Sequence, residues 1–340
     1  MREGRILTAA AASDARRRLC IVSPAPAGAN NGNARTARRW QGFLAPLHDV
    51  SIRQHWDGAP CDALIALHAL RSADSVAAYR AARPGAPLAV VLTGTDLYRD
   101  LAGGNAEARA ALSAADAVVV LQEAALERLD DATRRRTRVI VQSTPALRAG
   151  EGSTSGADFV AVGHLREEKD PRTLMRAACL LAEGGAAAVR IDHIGAALDE
   201  SLAAAARETM ASCPGYRWLG AVPHRAARGA IAGARALVHP SRMEGGAHVV
   251  IEAVRSGVPV LASRIDGNVG LLGAGYGGYF PLGDAAALAA LMRRFLAEPA
   301  FAAGLAAQCA AREPGFRPAA ERRAVRRLVA DLLGAGEPSR

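Results

Sequence analysis

The chain has 340 residues, of which 50% are hydrophobic, and a formal net charge of +9 at pH 7. This length is too great for one ordinary core and predicts two domains of about 150 residues each. Such a basic balance attracts nucleic acid, an acidic membrane surface or a small anionic substrate alike. The arginines are dispersed and aromatic residues make up only 4%, which argues against a nucleic-acid stacking platform.

The five cysteines are scattered and include no C-x-x-C pair. They therefore predict neither a disulfide framework nor a zinc site, and they favour a reducing cytoplasm. No apolar run approaches the roughly 20 residues that cross a bilayer. Residues 1–17 are basic without a continuous signal-peptide core, which predicts a flexible extension.

Short apolar runs of β type alternate with alanine-rich helical stretches. The first series is LCIVS (19–23), DALIALH (62–68), LAVVLTG (88–94), DAVVVLQ (116–122) and RVIVQS (138–143). A second series is FVAVGHL (159–165), VRIDHIG (189–195), YRWLG (216–220), ARALVHPS (234–241) and VPVLAS (258–263). Continuous Val/Ile/Leu runs separated by helices predict parallel sheets covered on both faces.

The predicted fold class is therefore α/β, with two Rossmann-like doubly wound domains facing a cleft. We expect the first domain at 18–145, a Gly/Ser/Thr/Pro-rich linker at 146–158 and the second domain at 159–315. Residues 316–340 contain an amphipathic final helix, which could pack back on the N-terminal domain.

Ligands of open α/β sheets bind beyond the carboxyl ends of the strands, so two loops of the first domain are candidate ligand sites. The glycines and asparagines of 23–40 can turn backbone N–H groups toward an anion beside Arg35, or the loop can simply be flexible with its arginines in water. After the third run, Asp96 either contacts substrate or caps the next helix. The candidate ligand-binding residues of these two loops are Gly28, Asn31, Gly32, Asn33, Arg35, Thr93, Thr95 and Asp96.

The stretch SRMEGGAHVVIEAVRSGVPVLAS, residues 241–263, carries two carboxylates around a glycine turn. A helix is predicted from about Ala247 to Ser256, and it places Glu252 among packed apolar residues. A buried carboxylate without donors costs several kcal/mol, on the order of the penalty for an unpaired charge, and vicinal ribose hydroxyls would supply two donors. Glu244 would lie nearer the reacting end of such a ligand.

The E-x(7)-E spacing, followed by A-x-x-S-G-x-P-V-x-A-S, resembles the donor signature of retaining GT-B glycosyltransferases of the family 4 type, and GHLREEKD resembles their G-R-L-x-x-x-K-D/N. The resemblance implies that Glu252 binds the ribose, that Glu244 binds the donor sugar, and that Lys169 neutralises the departing diphosphate. Lys169 and Glu244 are then the catalytic residues. The implied donor site is Gly163, His164, Lys169, Val222, Glu244, Gly245, Gly246, Ala247 and Glu252.

The sequence departs from that pattern at two positions. His164 replaces the usual arginine, which weakens one diphosphate contact or makes it pH-sensitive. Thr93 stands where many members have a histidine. No D-x-D motif is present, so we expect neither a metal nor a cofactor, and protein cations would neutralise the diphosphate.

Across nearly its whole length the sequence is similar to the selenosugar synthases of selenoneine biosynthesis, through SPAPAGANNGNARTARRW, LTGTDLYRDL and SRMEGGAHVVIEAV. This resemblance implies transfer of a sugar from a UDP-sugar, with UDP-N-acetylglucosamine as the expected donor, to selenophosphate. It makes the candidate ligand-binding residues of the two first-domain loops the expected acceptor site. Two alternatives stay open. One is a conventional glycosyltransferase with a sugar, polyol or lipid hydroxyl as acceptor, and the other is a non-catalytic protein that binds nucleotide sugars or glycans.

Overall fold

The computed structural model describes residues 16–25, 32–147, 156–184 and 189–334. The candidate residues Gly28 and Asn31, most of the predicted extension and most of the predicted linker lie outside the described residues. Arg16, at the end of the predicted extension, donates a 2.9 Å hydrogen bond to Asp49.

The N-terminal sheet has six parallel strands: β1 (Arg18–Val22), β2 (Asp49–Arg53), β3 (Ala63–Leu67), β4 (Leu88–Val91), β5 (Ala117–Val120) and β6 (Thr137–Val139). Their order across the sheet is β2-β1-β3-β4-β5-β6. Its helices are α1 (Gly32–Leu44), α2 (Ala73–Ala82), α3 (Ala106–Ala114) and α4 (Asp131–Arg135), with a short π-helix at Asp96–Leu101 and a 3-10 helix at Glu123–Arg128.

The C-terminal sheet also has six parallel strands: β7 (Phe159–Val162), β8 (Ile191–Ile194), β9 (Tyr216–Trp218), β10 (Ala236–His239), β11 (Val260–Ser263) and β12 (Tyr279–Phe280). Their order is β12-β11-β10-β7-β8-β9, the doubly wound arrangement whose switch point lies between the first and fourth strands of the domain. Its helices are α5 (Pro171–Glu183), α6 (Glu200–Ser212), α7 (His224–Gly233), α8 (His248–Arg255), α9 (Asp266–Leu272), α10 (Ala285–Ala297) and α11 (Pro299–Arg312), with 3-10 helices at Glu167–Lys169 and Glu313–Phe316.

The central strands are buried on both faces, as the continuous apolar runs predict. All five residues of β3 and all four of β4 and β10 are buried, because helices cover both sides of each sheet. The predicted α/β class with two doubly wound domains is confirmed.

The last helix, α12 (Pro318–Leu332), belongs to the core of the N-terminal domain although it follows the C-terminal domain in sequence. Its Val325, Leu328 and Val329 pack with β1 and α1. On the same helix Glu321 is buried and accepts hydrogen bonds from Arg39 and from the Trp40 indole. The chain thus crosses between the domains twice.

Two strands are missing from the sequence prediction. β2, with the sequence DVSIR, is an edge strand whose residues are half-buried or exposed, so it has no continuous apolar run. β12 has only two residues at the opposite edge of its sheet.

The structure contains one disulfide, which the sequence does not predict. Cys179 on α5 and Cys213 at the end of α6 are bonded, with 5.4 Å between their Cα atoms. The pair is separated by 34 residues, so only the packing of α5 on α6 reveals it. Cys20, Cys61 and Cys309 are free and buried.

Candidate active site

The two domains touch through backbone at the carboxyl ends of their sheets. A Cβ atom on Gly245 would lie 2.3 Å from the Thr93 carbonyl oxygen, and one on Gly94 would lie 2.7 Å from the Gly245 nitrogen. Gly94 also has a φ of +136°, a conformation that side chains disfavour. The loop after β4 therefore meets the glycine turn before α8, and both positions require glycine.

Lys169 and Glu244 form an ion pair at this meeting point. The Lys169 ammonium donates to Glu244 Oε1 at 2.5 Å, and the lysine stem packs beside Gly163. His239, at the end of β10, places Nε2 3.3 Å from the same oxygen, a close contact rather than a complete hydrogen bond. No described residue donates to Glu244 Oε2.

The ionisation of Glu244 is set by these neighbours. Burial opposes the charged carboxylate, but Lys169 and His239 hold its pKa well below the usual range. Burial in turn lowers the pKa of His239, so the imidazole is neutral at pH 7. The site therefore combines the Lys169 cation with a carboxylate that is ionised at neutral pH.

Glu252, the second carboxylate of the motif, is almost completely buried, with 2% of its side chain exposed. All three of its described donors converge on Oε1: Arg35 at 2.9 Å, His224 at 2.6 Å and His248 at 3.1 Å. These contacts hold the pKa of Glu252 well below its usual range although burial raises it. No described residue donates to Oε2, which is the acceptor that a ligand hydroxyl could use.

The acceptor contact expected for Arg35 stays a prediction, and the structure adds a contact that the sequence does not predict. It extends from α1 of the N-terminal domain to Glu252 of α8, and it also contacts His224. The sequence could not predict this contact because 217 residues separate the two side chains. Gly32 and Asn33, at the start of α1, are exposed and half-buried respectively.

The direct contact of Asp96 with substrate stays a prediction, and in the structure its carboxylate has backbone partners instead. Asp96 is fully buried, and its carboxylate accepts hydrogen bonds from the backbone N–H groups of Ala69, Thr93, Gly94 and Leu97. It is the first residue of the π-helix, where Thr95 holds the N-cap position, so Asp96 is not the cap that the alternative prediction expected. Its hydrogen bonds hold the loop that meets Gly245. Thr93 and Thr95 remain half-buried in that loop.

His68, which the sequence reading missed, supports the same loop. It follows β3 with a φ of 72°, and its Nε2 lies 2.9 Å from Thr95 Oγ1. Burial lowers the pKa of His68, so its imidazole is neutral at pH 7 and positions the Thr95 hydroxyl. Both His68 and His239 directly follow or end a buried strand, and the rule that picked out Thr93 would have identified them.

His164 occupies the position predicted to be a weakened or pH-sensitive diphosphate contact. Its Nδ1 accepts a 3.0 Å hydrogen bond from the Ala196 backbone N–H. Burial, together with the charges of Arg166 and Lys169, lowers its pKa, so it is neutral at pH 7 and its Nε2 carries the proton. Val222 lies in the loop after β9 and packs partly on the core.

The remaining motif residues shape the turn before α8. Ala247 is the buried N-cap residue of that helix and offers no side-chain cap. A side chain on Gly246 would meet Leu121 at 2.8 Å. In the described ranges no group of three or more histidine, cysteine or acidic residues is arranged to hold a metal ion, and no helix there is long and apolar enough to cross a membrane.

Residues 156–298 match the family model of the glycosyl transferases group 1. This segment comprises β7 to α10 and contains both motifs. The match ends before the chain returns to the N-terminal domain. No curated protein sequence matches the chain significantly.

Solved structures match over both domains. The sucrose-phosphate synthase of Thermosynechococcus elongatus gives a TM-score of 0.74 at 17% identity, covering 94% of this chain and 100% of that one. HepE of Anabaena, solved with UDP and glucose, gives 0.70 at 15% identity, covering 93% and 100%. The pneumococcal O-GlcNAc transferase GtfA, solved with UDP and GlcNAc, gives 0.62 at 18% identity, covering 80% and 57%. At such identities the likeness establishes the fold, which is GT-B.

Proposed function

We propose that the protein is a glycosyltransferase that takes its donor from the UDP-sugars. The observation that carries this proposal is the paired arrangement of Glu244 and Glu252, each with one oxygen held by protein donors and the other left to accept from a ligand. Nucleotide sugars present hydroxyls on both the ribose and the sugar, which suits two such acceptors. The match of residues 156–298 and the ligands named for HepE and GtfA support the same donor class.

In the proposed donor complex the ribose hydroxyls donate hydrogen bonds to Glu252 Oε2, and a hydroxyl of the sugar donates to Glu244 Oε2. Lys169 then faces the diphosphate, and with the amides of Gly245 to Ala247 it stabilises the charge that grows as UDP departs. Because Lys169 also keeps Glu244 ionised, the same ammonium group acts on the Glu244 carboxylate and on the donor diphosphate. Gly163, His164 and Val222 are proposed to border the donor.

We propose selenophosphate as the acceptor. Its selenium attacks the anomeric carbon, a carbon–selenium bond forms, and the bond from that carbon to the diphosphate oxygen breaks with its electron pair leaving on UDP. An anionic nucleophile needs no strong general base. This agrees with the first domain, where Asp96 is saturated by backbone donors and His68 is engaged at Thr95.

A conventional hydroxyl acceptor is the second candidate, and the half-buried Thr93 and Thr95 at the cleft edge favour it because they could bind a polyol. The deciding experiment incubates UDP-N-acetylglucosamine or UDP-glucose with selenophosphate, inorganic phosphate or a panel of sugars and polyols, and then determines product masses. A selenium-containing sugar product supports the first proposal. A glycosylated polyol with no selenium product would select the second. UDP binding without any product would indicate a non-catalytic protein.

A further inference from the structure

A pocket lies between the two domains, on the side of Glu252 where its protein donors lie. Its volume is about 410 Å³. Residues 143–145 form one wall, and the rest is basic: Arg35, Arg38, Arg39, Arg228, His224 and His248. Lys169, Glu244 and His239 are not part of its lining, so this basic pocket is separate from the proposed reaction centre.

Among the residues that the structure describes, no acidic side chain lines the basic pocket. The carboxylates that pair with its arginines lie behind the walls, where Arg39 binds Glu321 and Arg35 binds Glu252. Arg228 has a different environment. One of its terminal nitrogens donates to the Pro145 carbonyl, while its Nε is buried and has no partner in the described structure.

Helix ends add further positive potential. The first residues of α7 and α8, His224 and His248, both line the basic pocket, and neither helix has an acidic residue in its first turn or a side-chain cap. Their backbone N–H groups and dipoles therefore favour an anion there. Burial lowers the pKa of His248, and the positive charges of Arg39 and Arg35 lower it further. The direction of this effect reflects the same concentration of positive charge.

We propose that the basic pocket binds a tetrahedral oxyanion of the phosphate type. Arginine matches such an anion through several charge-assisted hydrogen bonds, and a dianion would offset the clustered guanidinium charges. Because Arg35 is on the N-terminal domain and Arg228 on the C-terminal domain, the anion is held by both domains at once. This site does not depend on the protein being a glycosyltransferase.

Inorganic phosphate, titrated calorimetrically into the full chain, is the test. Wild type should bind it with a dissociation constant of about 1 mM or tighter, and Arg228→Gln should weaken binding about tenfold or more. Arg38→Gln, on the opposite wall, should do the same. Arg225→Gln, an exposed arginine on α7 that does not line the pocket, should leave binding unchanged.

Lys169→Met distinguishes this site from the proposed diphosphate site. Phosphate binding that survives in Lys169→Met and is lost in Arg228→Gln supports the basic pocket. The reverse result would place the phosphate beside Lys169 and overturn the inference, while leaving the proposed function intact. Undetectable binding of phosphate to the wild-type protein would also overturn the inference. A UDP titration of the same sample measures the donor site separately.

Discussion

Arg35 of the first domain donates a 2.9 Å hydrogen bond to Glu252 of the second, on the carboxylate oxygen that His224 and His248 also contact. The other oxygen of Glu252 receives no donor from the described residues. The arrangement orients the carboxylate by three donors on one side and leaves an acceptor for a ligand on the other.

Glu252→Ala should weaken UDP binding by about tenfold to a hundredfold, because a hydrogen bond to a charged group contributes about 1.5 to 3 kcal/mol. Isothermal calorimetry with UDP measures the effect. Glu298→Ala is the matched control, since Glu298 is an exposed carboxylate paired with Arg294 on the same domain. If UDP bound Glu252→Ala as tightly as wild type, the donor-site proposal would be wrong.

Arg35→Ala should weaken UDP binding by about threefold to tenfold, because Glu252 loses one of the donors that orient it. The sequence alone predicts a higher KM for the acceptor with little change in donor binding, whereas the contact with Glu252 predicts an effect on both substrates. Arg109→Ala, in the same domain and exposed on α3, is the control. An unchanged affinity for UDP would restrict Arg35 to the acceptor.

Gly245→Ala should reduce the rate of sugar transfer by about a hundredfold, since the new Cβ must separate the loops that align the two domains. It would lie 2.3 Å from the Thr93 carbonyl, and neither backbone can yield without shifting its domain. Gly304→Ala on α11 meets nothing within 4 Å and should retain full activity with unchanged or slightly raised stability. Full activity in Gly245→Ala would show that the contact is not required.

Protonation of the buried His193 should lower the free energy of unfolding between neutral and mildly acidic pH. Burial lowers its pKa from 6.5 to about 4, so the unfolded chain binds the proton more readily. The stability that the neutral imidazole contributes is fully present above pH 6.5 and is lost as the pH falls toward 4. At pH 5 the loss in the free energy of unfolding is about 2 kcal/mol. Glu244 and Glu252, whose pKa values are depressed, lose their contribution only below their unfolded value of 4.5.

Urea unfolding at pH 7 and pH 5 measures this effect. The decrease in the free energy of unfolding between the two pH values should be about 2 kcal/mol smaller in His193→Gln than in wild type. The other buried histidines titrate in both proteins and cancel in the comparison. Equal decreases would show that His193 is not the group responsible.

The sequence predicts the fold well because the central strands of doubly wound sheets are continuous apolar runs. Ten of the twelve strands in the described ranges follow from them, and the exceptions, β2 and β12, lie at sheet edges and bury less. The closing helix was also recognisable from its amphipathic pattern, and it packs on β1 and α1.

The site was only partly predictable. Motif spacing brings Lys169, Glu244 and Glu252 to one sheet edge, since their loops follow β7 and β10. The spacing of motifs in the sequence does not predict contacts between the domains. Such contacts form when the two domains pack together, and they include Arg35 with Glu252, Gly94 with Gly245, and the basic pocket. The saturation of Asp96 likewise depends on the local fold of its loop, which leaves the carboxylate buried.

Release of UDP from UDP-N-acetylglucosamine, measured with and without selenophosphate and combined with the mass of the product, tests the central claim most directly. We expect little release alone, and selenophosphate-dependent release that yields a product containing both the sugar and selenium. If selenophosphate produced no such product with this donor or with UDP-glucose, while the protein still bound UDP, the claim of a selenophosphate acceptor would be contradicted.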